Sequence, residues 1–186
     1  MVTACPVGGD FDAQVDFNLV LWPTSSGVRV GLVIQDPAGG AVERVGFVPN
    51  DFPTFPRETY LTDFGDGVQG AVLTISFTGT LRMVRTGGVL AGYDISGSNW
   101  VLIHSGPATT ADDVHLGFGA WGHNNVFGNQ NVTVAFDNFV LNSGRLDCPT
   151  LTLTPNNGEL GTQVQVQGLW IPNLPLRTYS SFDLIR

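Results

Sequence analysis

Val114-His115-Leu116-Gly117-Phe118-Gly119-Ala120-Trp121-Gly122 and, beyond a turn-rich run to Gln130, Val132-Thr133-Val134-Ala135-Phe136-Asp137-Asn138-Phe139 decide the fold class. In the first run Val114, Leu116, Phe118 and Ala120 alternate with His115, Gly117, Gly119 and Trp121. In the second, Val132, Val134 and Phe136 alternate with Thr133, Ala135 and Asp137. A period of two belongs to strands with two chemically different faces, so the stretch reads as two strands and a loop.

Working outward, Phe11, Ala13, Val15, Phe17 and Leu19 alternate with Asp10, Asp12, Gln14, Asp16 and Asn18, giving a strand with a core face and a wet face. Val28, Val30, Leu32 and Ile34 define the next strand, closed by Asp36-Pro37-Ala38-Gly39-Gly40, and Val42–Val48 a third. Three prolines in Pro49–Pro56 forbid regular pairing there and make that loop a candidate rim of a binding face. Glu58–Phe64 reads as a short strand. Four more follow, marked by Leu73, Ile75 and Phe77, by Leu81 and Met83, by Val89–Ile95 and by Trp100–His104, and their glycine-bearing turns predict an antiparallel meander. No sustained helical period occurs between Cys5 and Cys148, so the expectation is an all-β chain.

Composition limits what such a chain does. Its 186 residues are 42% hydrophobic, enough for a sizeable core, and 24 Gly with 11 Pro fit many turns between short strands. Sixteen acidic residues oppose eight Arg and no Lys, for a net charge of −8. Phosphate recognition needs clustered cations, so nucleic acid is not an expected partner. No apolar run reaches membrane-spanning length, and Met1-Val2-Thr3-Ala4 is too short for a signal peptide. Cys5 precedes the first strand and Cys148 follows the last. First and last strands are commonly neighbours in closed antiparallel sandwiches, which predicts a disulfide and a secreted or cell-surface setting; two unpaired small hydrophobes are the alternative. With Asp137 eleven residues before Cys148, the expectation is that it lies close to that bond.

Gly9-Asp10-Phe11-Asp12, Val30-Gly31-Leu32-Val33, Leu81-Arg82-Met83-Val84-Arg85-Thr86-Gly87, Tyr93-Asp94-Ile95-Ser96-Gly97-Ser98-Asn99-Trp100 and Val134-Ala135-Phe136-Asp137-Asn138-Phe139 together resemble the concanavalin A-like lectin/glucanase superfamily, in its bacterial laminin G-like branch. The resemblance covers residues 5–148 and implies an antiparallel jelly-roll β-sandwich with ligands on a concave face or its rim loops. It carries no reaction, because function lives in sites grafted on such folds. Members of the superfamily often hold a structural calcium through an aspartate of the last strand and backbone oxygens near the N-terminus, which makes Asp137 the candidate ligand. Residues 149–186 begin with Leu151-Thr152-Leu153-Thr154-Pro155 and Gln163-Val164-Gln165-Val166-Gln167, similar to the opening of an immunoglobulin-like module of the IPT/TIG type. Two strands cannot bury a sandwich core, so this segment is a truncated module, a tail docked on the first domain, or a strand donor for self-assembly.

No catalytic grouping stands out. The Glu-x-Asp-x-x-Glu pattern of glycosidases in the resembling superfamily is absent, and His104, His115 and His123 fit neither a triad nor zinc spacing. The binding candidates are His115 and Trp121, on one strand face with two glycines between them, and His123 and Asn125 in the adjoining loop. Tyr60, Arg44 and Arg57 are added on the expectation that the proline-rich loop returns to that surface. A Trp beside bare backbone offers a platform for a sugar ring, whereas a Trp that fills the core offers nothing. The expected function is a non-catalytic extracellular binding module for glycans or a surface protein. A subunit of an extracellular filament or surface layer, and a glycoside hydrolase of the concanavalin A-like class, are the alternatives.

Overall fold

The computed structural model describes residues 3, 5–21, 28–40, 42–48, 59–74, 76–96, 98–122, 131–148, 152–154 and 165–167. These residues form strands and no helix. The strands are β1 (Val7–Leu21), β2 (Val28–Gln35), β3 (Val42–Val48), β4 (Thr59–Asp63), β5 (Ala71–Leu73), β6 (Thr78–Thr86), β7 (Val89–Ser96), β8 (Asn99–Pro107), β9 (Asp113–Gly122) and β10 (Thr133–Leu146), followed by β11 (Thr152–Thr154) and β12 (Gln165–Gln167). The chain divides into two units, Met1–Asp147 and Cys148–Arg186. In the second, β11 and β12 pair antiparallel with Leu153 opposite Val166.

The first unit is an antiparallel jelly-roll β-sandwich. Sheet A runs β5-β4-β3-β2-β9 and sheet B runs β10-β1-β6-β7-β8. One strand belongs to both layers. β1 starts beside β9, with Val7 opposite Val114 and Gly8 opposite Asp113, and then pairs with β6 from Phe11 to Asn18. The change of layer falls at Gly9, whose φ of +65° is a conformation that side chains with a Cβ rarely adopt. β10 covers the other edge of β1 from Val7 to Leu21, so the first and last strands of the unit are neighbours. Both cysteines are in a disulfide and no thiol is free; being the two cysteines of the chain, Cys5 and Cys148 are joined to each other.

The alternation in β1 follows from its position. Phe11, Ala13, Val15, Phe17 and Leu19 are buried between the sheets against Val30, Leu32, Ile34, Val45, Leu81, Met83, Leu90 and Leu116. Asp12, Gln14 and Asp16 face outward, where Asp12 grips the Arg82 guanidinium with two hydrogen bonds of 2.8 and 2.6 Å and Arg82 lies 4.8 Å from the Trp100 ring centroid. Each buried aliphatic or aromatic side chain is worth about 1.5–3 kcal/mol relative to exposure, so a register slip that turned this face outward would unfold the unit.

Two of the sequence expectations change. The four-strand meander is a three-strand one, β6-β7-β8, because β5 pairs with β4 in sheet A. The strand expected through Leu73, Ile75 and Phe77 also stops at Leu73. Hydroxyls capture the backbone there: the Ser76 N–H donates to Thr74 Oγ1 at 3.1 Å, and Ser76 Oγ donates to the Thr78 carbonyl at 2.6 Å. Such local bonds compete with a sheet ladder.

Candidate functional site

The two ends of the sandwich differ. At the end where β1 begins, two buried charged side chains close the gap between the sheets. The Glu43 carboxylate accepts from the Thr109 N–H at 2.8 Å and from the Thr110 N–H and hydroxyl at 3.2 and 2.6 Å. Arg85 donates to the carbonyls of Gly9, Ala111 and Asp112, and its guanidinium sits 4.9 Å from the Phe11 ring centroid. Burial pulls the Arg85 pKa below its usual value, against the raising effect of nearby acidic charges. That end is sealed.

Among the described residues, the opposite end is open. A cavity of about 420 Å³ lies there between β4 and β5 of sheet A and the adjoining ends of β6, β7 and β8, within the size range of small-molecule sites. Val72, Leu73, Ile95 and Val101 give it apolar walls, and Thr74, Ser76 and Thr78 supply hydroxyls. Its rim is greasy: Leu73 is 55% and Phe77 49% exposed.

Two polar side chains reach the cavity from within the sandwich. On β4, Tyr60 points inward with its ring edge-on to Phe17, centroids 6.1 Å apart. A Cβ at position 79 would collide with the Tyr60 hydroxyl, so the glycine in β6 is what admits it. Burial, helped by the Asp94 charge, pushes the Tyr60 pKa up to about 12, which keeps the phenol protonated. On β7, Leu90, Gly92 and Asp94 share the inward face, and Asp94 is 5% exposed. Its Oδ1 is buried with no hydrogen-bond partner, an arrangement that costs about 1–3 kcal/mol. Desolvation raises the Asp94 pKa, opposed by its own backbone N–H. Its Oδ1 lacks a donor and stands beside space for one.

Of the expected binding residues that are described, Tyr60 lies at one end of the sandwich and Arg44 and His115 near the other. Tyr60 lines the cavity. Arg44 is near the sealed end, paired at 3.1 Å with Asp63 on the outer face of sheet A. His115 is also near that end, its Nδ1 3.1 Å from the Thr3 carbonyl. The backbone of Trp121 pairs with Arg29 across β2 and β9, but its side chain, and all of Arg57, His123 and Asn125, lie outside the described residues. The strand ends that lead into and out of 49–58 and 123–130 (Val48, Thr59, Gly122 and Thr133) are at the open end of the sandwich. Asp94, which the expected set omits, was visible in the sequence: it shares parity with Leu90 and Gly92, two positions that face the core.

Asp137 lies opposite Asp16 in the middle of the β1–β10 pairing, not close to the disulfide. Eleven residues of extended chain, about 35 Å, separate it from Cys148. It is exposed, and its Oδ1 accepts the Asn138 N–H at 2.7 Å. Among the described residues no three His, Cys, Asp or Glu side chains are grouped to hold a metal. Calcium takes about six to eight oxygens, of which Asp137, one oxygen already engaged by the Asn138 N–H, would supply at most two. Among the described residues, no helix is long and apolar enough to cross a membrane.

No protein-family model matches the chain, and no curated protein matches it by sequence. Solved structures do. A functionally unknown protein from Saccharomyces cerevisiae superposes with a TM-score of 0.56 at 18% identity, over 78% of this chain and 73% of its own. A GH43 protein from Bacillus licheniformis gives 0.50 at 13% identity, over 71% of this chain but 27% of its own length. A β-glucanase from Bacillus licheniformis gives 0.47 at 11% identity, over 73% of this chain and 66% of its own. At these identities the likeness of the first two is one of fold.

Proposed function

We propose that the chain is a non-catalytic carbohydrate-binding β-sandwich of the laminin G-like kind, acting outside the cytoplasm, with its ligand in the open-end cavity. The observation that carries this reading is the buried Asp94 Oδ1, which has no hydrogen-bond partner, at the wall of a cavity that mixes apolar surface with hydroxyls. Sugars present that same mixture, C–H faces beside O–H donors, and a buried acceptor without a donor is satisfied when such a ligand arrives. The GH43 protein and the β-glucanase lend a glycan context through their names. The disulfide fits an oxidising compartment.

Against hydrolysis, the cavity has one lining carboxyl, Asp94, among the described residues. Glycosidases use two, about 5–5.5 Å apart when retaining and about 6.5–9.5 Å apart when inverting. The test is a glycan array probed with the purified chain, paired with a reducing-sugar assay on the polysaccharides that bind. Binding without release is expected, and Val101→Trp, which fills the cavity, should abolish binding while leaving the circular dichroism spectrum intact. Sugar release that Asp94→Asn abolishes would replace this reading with an enzymatic one.

A further inference from the structure

We infer that the open-end cavity selects sugars bearing a free amine, seating the protonated amino group of a hexosamine on the Asp94 carboxylate; this rests on the carbohydrate-binding reading above and narrows it. Asp94 is 95% buried and its Oδ1 has no partner. Among the described residues no Arg or His lines the cavity to balance that carboxylate, and the chain contains no Lys. A cationic ligand would supply the counter-charge that these residues do not. A neutral ring offers hydroxyls that hydrogen-bond to the carboxyl yet leave a buried charge uncompensated. An ammonium supplies both the donors and the charge, and buried carboxylates are stabilised when paired in this way.

The surroundings favour the same ligand. Thr74, Ser76 and Thr78 offer oxygen acceptors for the remaining ammonium hydrogens, and Ile95 and Val101 offer apolar surface for the ring. At the scale of the whole chain, a net charge of −8 draws cationic ligands and repels anionic ones such as uronates. An N-acetyl group removes the charge, so acetylated hexosamine should bind as weakly as glucose.

Calorimetric titration of the full chain with β-1,4-linked tetramers of glucosamine, N-acetylglucosamine and glucose tests this. The glucosamine tetramer should bind at least tenfold tighter than the other two, and its affinity should fall as salt is raised. Asp94→Asn keeps the shape and removes the charge; it should lower glucosamine affinity at least tenfold and so erase the preference for glucosamine over glucose, with melting temperature reporting that the variant is folded. Equal affinity for the three tetramers, or an undiminished Asp94→Asn, overturns the amine preference while carbohydrate binding stands. Failure of all three tetramers and of the wider glycan array overturns both.

Discussion

Asp94 sets the clearest expectation at the scale of single residues. Its pKa is raised on folding by desolvation, so the folded state holds the proton more tightly than the unfolded one. The associated stability is full below the unfolded value of about 3.9 and is lost as pH rises through the higher folded value. Asp94→Asn removes the penalty of ionisation in the empty cavity. The variant should therefore be more stable than the parent at neutral pH, with the difference vanishing as the pH drops below about 3.9. Urea midpoints across that range check it, and a variant less stable than the parent at neutral pH contradicts it.

Asp12 has the opposite sign. The hydrogen bonds from Arg82 hold its carboxyl below the usual range, against the effect of burial. Its contribution is present above the unfolded pKa and is lost as pH falls through the lower folded value. Arg82→Met should cost about 1–3 kcal/mol at neutral pH and less in acid. The two aspartates show how far parity reads. Asp12 alternates with Phe11 and Ala13 and is legible as outward, whereas Asp94 follows Leu90 and Gly92 inward against the expectation that a carboxylate belongs in water. Polarity hides such residues, although their spacing gives them away.

At the scale of elements, the sealed end depends on two latches. The connection between β8 and β9 makes most of its described main-chain bonds to side chains: Thr109 and Thr110 to Glu43, Ala111 to Asp36, and the Ala111 and Asp112 carbonyls to Arg85. Glu43→Ala should therefore cost about 1–3 kcal/mol and speed amide exchange at Thr109 and Thr110 before the rest of the sandwich opens. Exchange unchanged at those two amides would contradict the latch. Arg85 shares parity with Leu81 and Met83, so its burial was legible. The halt of β5 at Leu73 was not, because apolar parity runs on through Ile75 and Phe77 while the hydroxyls of Thr74 and Ser76 decide the local backbone.

For the first unit, the pairing of its first and last strands was legible in the placement of Cys5 and Cys148, and β1 beside β10 explains why both ends of that unit meet at one seam. That Tyr60 lies at one end and Arg44 and His115 near the other was not, because strand parity carries no information about distance along the sandwich. The disulfide closes a loop spanning nearly the whole first unit, worth about 5 kcal/mol in the chain-entropy model. Reduction should lower the melting temperature substantially. Native protein that shows two free thiols per chain would contradict the bond.

Amide chemical-shift mapping of the isotopically labelled chain, titrated with the glucosamine tetramer and then the glucose tetramer, tests the central claim most directly. The largest perturbations should fall on Val72–Thr74, Thr78–Gly79, Asp94–Ile95 and Val101, with Arg44 and His115 unmoved. Perturbations confined to the outer face of sheet A around Arg44 and His115, or none at saturating concentrations of either sugar, would contradict a carbohydrate site at the open end of the sandwich.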